Sequence, residues 1–110
     1  MTLRVLILSS LLFAFAQVKA ADLSSQQEQG QILFAKHCAA CHGERGFATA
    51  QIEKRIGKEQ AMLERRTDLS DVLVKHVVRH GIKSMPWFTR VELSDADAAA
   101  IAIYLTRNNR

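Results

Sequence analysis

The chain has 110 residues, 15 basic against 11 acidic for a net charge of +4, one proline and two cysteines. That is one domain by size. A charge this small, with no basic run and no aromatics interleaved with Lys or Arg, excludes a nucleic-acid surface. So short a chain buries only about 60% of its unfolded surface, so a disulfide, metal or cofactor is expected to complete its core.

Residues 1–20 have the pattern of an export signal. MTLR is a basic start, residues 5–16 are a mostly apolar run of twelve, and Val18 and Ala20 are the small residues of a cleavage site after Ala20. A stretch of twelve residues, apolar but for Ser9 and Ser10, falls short of the roughly 20 needed to cross a bilayer. The other reading is an uncleaved N-terminal tether, the one route by which a membrane enters. The expected mature domain is residues 21–110, periplasmic, with 13 basic and 11 acidic residues once Arg4 and Lys19 are gone. Export implies an oxidising compartment, where cysteines pair or carry a cofactor.

ADLSSQQEQG reads as a polar arm entering a helix capped by Ser24 or Ser25, with Glu28 in its first turn. Ile32, Leu33 and Phe34 continue this helix through the two cysteines to Gly43. Residues 43–66 are the least regular part, where Gly43, Gly46 and Gly57 predict turns and short helical pieces. Residues 70–81 predict a helix capped by Ser70 and stopped by Gly81, with Val72, Leu73, Val77 and His76 facing inward. Pro86 predicts a loop around Met85. The last helix opens on an S-x-x-D box, Ser94 and Asp97, and carries the stripe Ile101, Tyr104, Leu105. No repeat and no strand is evident, so the expected fold is all-α, with three main helices and short helical loops.

Cys38, Cys41 and His42 stand at i, i+3 and i+4, one face of a helix. C-x-x-C-H at this spacing reads as a c-type haem attachment site, with each thiol forming a thioether and His42 as the proximal iron ligand. Other readings fit less well. A thioredoxin-like centre needs a βαβ setting, a structural zinc site needs four well-spread ligands, and a disulfide across two residues closes too short a loop to stabilise much.

Met85, in a loop and followed by Pro86, is the expected distal ligand, and His/Met ligation fills both axial positions. Met62 reads as a packing residue, His37 as a surface residue facing away from the haem, and His76 and His80 as solvated histidines, with an i, i+4 metal clamp as their sharper reading. The expected haem pocket draws on Phe34, Phe47, Ile56, Leu63, Leu69, Leu73, Val77, Ile82 and Phe88. Arg65 or Arg66 is a candidate propionate partner. Lys36, Arg45 and Lys83 are candidates to ring the haem edge, and Trp87 either docks a partner or packs on the haem.

Gly30, Phe34, CAACHG, MP after a helix, and Tyr104 with Leu105 in a capped final helix make the chain resemble a class I c-type cytochrome over nearly all of residues 21–110. The resemblance implies a small cytochrome c fold around one covalently bound haem c, with the first and last helices crossing at Gly30 and Tyr104. Residues 63–88 also resemble the small cytochrome subunits of p-cresol methylhydroxylase-type flavocytochromes, through Leu63, Glu64, Arg66, Val78, Arg79, Gly81, Met85, Pro86 and Phe88. That implies electron transfer from a flavoprotein. Members of the wider family carry a proline before Leu63, whose carbonyl accepts from the ligating imidazole. Met62 stands there instead, and its backbone still offers a carbonyl.

The expected function is one-electron transfer between a dehydrogenase, flavoproteins among the candidates, and a respiratory acceptor, with no bond chemistry on a substrate. The alternative is a haem protein with an open or exchangeable distal site that binds a gas or peroxide.

Overall fold

A computed structural model describes residues 2–109, with side chains from Lys19 onward. The expected export signal, residues 1–20, therefore falls outside the described side chains, save for Lys19 and Ala20. Among the described residues the elements are α1 (Thr2–His37), α2 (Ala39–His42), α3 (Phe47–Ile56), 3-10 turns at Lys58–Gln60 and Leu63–Arg65, α4 (Asp71–His80) and α5 (Asp95–Thr106). Ile82 and Met85 form an isolated bridge, and no described segment is a strand. No described helix is long and apolar enough to cross a membrane.

The frame is α5 packed against α1 on one side and α4 on the other. Six residues of α5 are buried: Ala98, Ala100, Ile101, Ala102, Tyr104 and Leu105. Its small residues let neighbouring helices come close. At the α1 crossing, a Cβ on Gly30 would lie 2.7 Å from both the Ala100 carbonyl carbon and the Tyr104 Cβ. Only glycine fits there, as expected. Phe34 meets Tyr104 with ring centroids 6.0 Å apart, and Leu33, Leu69, Val74, Val78 and Leu93 complete the core.

The caps act as predicted. Ser94 Oγ accepts from the Asp97 amide at 3.1 Å and Asp97 Oδ2 accepts from the Ser94 amide at 3.2 Å, a reciprocal box at the start of α5. Ser70 Oγ accepts from the Leu73 amide at 3.1 Å at the start of α4. At the other end of α5, the Tyr104 hydroxyl donates to the Glu64 carboxylate. Arg107 and Asn108 donate to the Glu64 carbonyl at 3.0 and 2.9 Å, fastening the Leu63–Arg65 turn to the frame.

Three expectations are corrected. Ser24 and Ser25 cap nothing: α1 runs through them, and Ser25 Oγ donates back to the Asp22 carbonyl at 2.8 Å. The irregular region contains α3, a full ten-residue helix, because FATAQIEKRI holds neither glycine nor proline and Gly46 and Gly57 fall at its two ends. The inward face of α4 is Val74 and Val78, whereas Val72 and Leu73 are exposed and His76 lies in solvent. The apolar residues of DVLVKHVV permit either phase, and contact with α5 selects this one.

Candidate functional site

The C-x-x-C-H segment stands at a break between helices. Cys38 has φ −118° and ψ −35°, off the ideal helix, yet its amide still donates to the Phe34 carbonyl at 2.8 Å and its carbonyl accepts from His42 at 2.8 Å. The motif is thus an offset last turn of α1, held by α1's own packing. Gly43 and Gly46 then reverse the chain. A Cβ on Gly46 would lie 3.1 Å from the Cys41 Cα, so this glycine lets α3 start directly against the motif. The Thr49 hydroxyl donates to the Gly43 carbonyl at 2.7 Å and locks that turn.

A cleft of about 370 Å³ opens beside it. His37, Cys38, Cys41 and His42 line one part, Phe47, Ala48, Gln51, Ile52 and Arg55 of α3 another, and residues 82–86 with Phe88 the rest. The structure therefore brings Cys38, Cys41, His42 and Met85 to one cavity, although Met85 is 43 residues beyond His42 in sequence. A larger hollow of about 450 Å³, between α1 and the start of α5, is lined by Ser25, Gln26, Gln29, Asp97 and alanines, and holds no sulfur or imidazole.

The donor chemistry of the cleft fits a haem c. Burial holds the His42 imidazole below its ordinary pKa, which keeps the ring neutral and its nitrogen lone pair available. Its Nδ1 is sealed from solvent without a hydrogen-bond partner, and Nε2 is not so enclosed. Burial, reinforced by Cys41, pushes the Cys38 thiol up to about 11. Both cysteines are free thiols, as thioether formation requires. The walls are mainly apolar, and Phe47 and Ile82 are more than half exposed, at 63% and 55%. Such walls suit a flat apolar ring system.

Several neighbours differ from expectation. His37 lines the cleft and sets its ring edge-on to Phe88, centroids 6.0 Å apart, instead of facing away. It lies four residues before Cys41, on the same helix face, and that spacing was visible in the sequence. Of the nine expected pocket residues, Phe47, Ile82 and Phe88 line the cleft. Phe34 and Leu69 belong to the helical core, Leu63 packs against that core, Ile56 and Leu73 are exposed, and Val77 does not line the cavity.

Arg66 is engaged elsewhere, with Nε and Nη2 donating to Asp68 at 2.7 and 2.8 Å, and Arg65 is exposed away from the cleft. The arginine at the cleft is Arg55, from the helix the sequence concealed; its i, i+4 spacing from Gln51 was the available signal. Lys83 lines the cleft, whereas Lys36 and Arg45 do not. Trp87 is 66% exposed and does not line the cleft, so it does not pack there. The Met62 carbonyl accepts from the Arg65 amide at 3.0 Å, opening the Leu63–Arg65 turn, and does not reach His42. This carbonyl serves the turn and not the imidazole.

A small all-α frame with a sulfur- and imidazole-lined apolar cleft is the architecture of a class I c-type cytochrome. The model of the family described as cytochrome c oxidase, cbb3-type, subunit III matches residues 25–105, and the chain belongs to that family. It is a haem electron-transfer protein that carries covalently bound haem c and works with redox protein partners. The match does not support the narrower resemblance to flavocytochrome subunits. Neither a curated protein nor a solved structure shows significant similarity to the chain.

Proposed function

We propose that the chain is an exported mono-haem cytochrome that passes single electrons from a dehydrogenase to a respiratory acceptor. The observation that carries this reading is the convergence of Cys38, Cys41, His42 and Met85 on one apolar cleft. Cys38 and Cys41 would hold the haem through thioethers, and His42 and Met85 would bind its iron. Bound there, the haem would supply one-electron redox chemistry.

The chain's own residues do the rest. The α1 crossing and the Gly43–Gly46 turn orient His42. The 82–88 loop presents the Met85 thioether, and a thioether ligand raises the potential. Phe47, Ile52, Ile82 and Phe88 keep water from the reacting centre. Arg55 supplies a planar cation at the cleft, suited to a carboxylate. Lys83 and the exposed Trp87 flank the methionine and form the edge a partner meets. Cleavage after Ala20 would release residues 21–110 into the periplasm. Flavoproteins are one candidate class for the dehydrogenase donor.

The test is the intact mass and absorption spectrum of protein made with a working haem-attachment system. One added haem, no free thiols, an N-terminus at Ala21 and a far-red methionine-to-iron band in the oxidised form are expected. Free thiols with no added mass would overturn haem attachment. Absence of the band, with rapid carbon monoxide binding to the reduced protein, would establish an open distal site instead. Copurification with a flavin-containing chain supports the donor; reduction by unrelated donors alone would sink that part.

A further inference from the structure

Helix α4 carries a second set of nitrogen ligands, apart from the cleft. His76 and His80 are four residues apart and exposed, and neither lines the cavity. Their rings stack 4.3 Å apart, 20° from parallel, so the two imidazoles already leave the helix side by side. His80 Nδ1 lies 2.9 Å from the His76 carbonyl oxygen. A carbonyl can only accept, so this contact assigns the proton to Nδ1 and leaves the Nε2 lone pair of His80 free. A ring N–H anchored on a backbone carbonyl is the usual support of a metal-binding histidine.

The surroundings favour a cation as well. The two basic residues nearest the pair on the helix are neutralised: Lys75 pairs with Asp71 at 2.9 Å and Arg79 with Asp95 at 2.8 Å. Neither histidine forms an ion pair with a carboxylate among the described residues. Capped by Ser70, α4 fixes the backbone from which both rings project, and the carbonyl contact orders the His80 ring before any ion arrives, which lowers the ordering cost of binding.

The geometry points to a bidentate site for a borderline divalent transition-metal ion on His76 and His80. Imidazole nitrogen suits copper, nickel and zinc, and the affinity order places Cu2+ first. Two protein ligands fall short of the four of a structural zinc site. Water therefore completes the coordination, and the ion exchanges with solvent. This inference does not depend on the haem ligands proposed above.

The experiment is titration of the tag-free, haem-loaded ferric protein with Cu2+, followed by calorimetry and by the electron paramagnetic resonance of the copper. One Cu2+ per chain is expected, with coupling to two imidazole nitrogens. His76→Ala and His80→Ala should each lower the affinity roughly a hundredfold, because each removes the second, intramolecular contact. Lys75→Ala should leave the affinity unchanged. No saturable uptake, coupling to a single nitrogen, or a loss of less than about tenfold in either histidine variant would overturn the site. Circular dichroism of both variants checks that α4 is retained.

Discussion

Replacing Arg79 by alanine should free the methionine loop from the helical frame. The Arg79 side chain is only 14% exposed. Its Nη1 donates to the Phe88 carbonyl at 3.3 Å, three residues beyond Met85, while Nε and Nη2 donate to Asp95 Oδ1 at 3.2 and 2.8 Å. The Phe88 amide donates to the Val78 carbonyl at 2.8 Å, so Phe88 is held through both backbone groups. A hydrogen bond from a charged group contributes about 1.5–3 kcal/mol. The 3.3 Å length puts the Phe88 contact at the low end, so Arg79→Ala should cost about 1.5 kcal/mol, or roughly 6–12 °C in Tm for a domain of this size. Asp95 is largely exposed, and its pairing is screened by water. Urea denaturation of the haem-loaded protein, with the far-red methionine band recorded alongside, separates the two contacts. Arg79→Ala should lower the midpoint and weaken the band, and Asp95→Asn should do much less of either. If Asp95→Asn matches Arg79→Ala, or if Arg79→Ala leaves both readings unchanged, the loop is not held in this way.

Gly30→Ala would press a methyl group against the Ala100 carbonyl and the Tyr104 Cβ of α5, which cannot yield as a side-chain tip can. A cost of about 1–3 kcal/mol is expected, and an unshifted urea midpoint would contradict the tight crossing. Met85→Ala should abolish the far-red band and open the reduced protein to carbon monoxide while both thioethers persist in the mass spectrum; a retained band would assign the distal ligand elsewhere. Four carboxyls are held below their ordinary range: Asp68 by Arg66, Asp71 by Lys75, Glu92 by the Thr89 amide and Asp95 by Arg79. Unfolded values are about 3.9 for Asp and 4.3 for Glu, so this stabilisation is fully present above about pH 5 and is lost as pH falls through the lower folded values. Denaturation midpoints should fall gently below about pH 6.5, where the unfolded chain protonates His42 before the folded one does, and more steeply below about 4 as these carboxyls protonate; a flat profile to about pH 3 would contradict these pairings. Trp87→Ala should change stability by less than about 0.5 kcal/mol, since the ring is mostly exposed; a larger loss would mean that it packs.

The parts of the fold legible in the sequence were those set by local chemistry. Ser94 with Asp97, and Ser70 with the Leu73 amide, are short-range devices, and both formed where the residue types placed them. The stripe Ile101, Tyr104, Leu105 was legible because α5 is surrounded by partners and its apolar residues admit one reading. On α4 the apolar residues VLV and VV suit two helix phases, and only contact with α5 decides between them. Helix α3 was hidden because glycines at its ends resemble glycines within a loop. Arg66 appeared free because Asp68, two residues on, left no helical pattern to signal a pair. The gathering of Met85 with the C-x-x-C-H motif came from residue chemistry, whereas Arg55, Gln51 and His37 in the same cleft required the packing.

Helix α5 contributes no side chain to the cleft, yet both proposed ligands are positioned from it. His42 closes α2, the offset turn that continues α1, and α1 is seated on α5 by Gly30 against Ala100 and by Phe34 against Tyr104. Met85 follows α4, which packs on α5 through Val74 and Val78, and its loop is tied back through Arg79 to Asp95, the first residue of α5. The separation of imidazole and thioether is therefore the difference of two placements measured from one rigid helix. That helix has a capping box at one end, and Tyr104, Arg107 and Asn108 bind Glu64 at the other. A change in the tilt of α5 would move both ligands at once, whereas a change in the 82–88 loop would move only the thioether. The electron-transfer centre thus takes its rigidity from the segment of sequence that carries none of its chemistry.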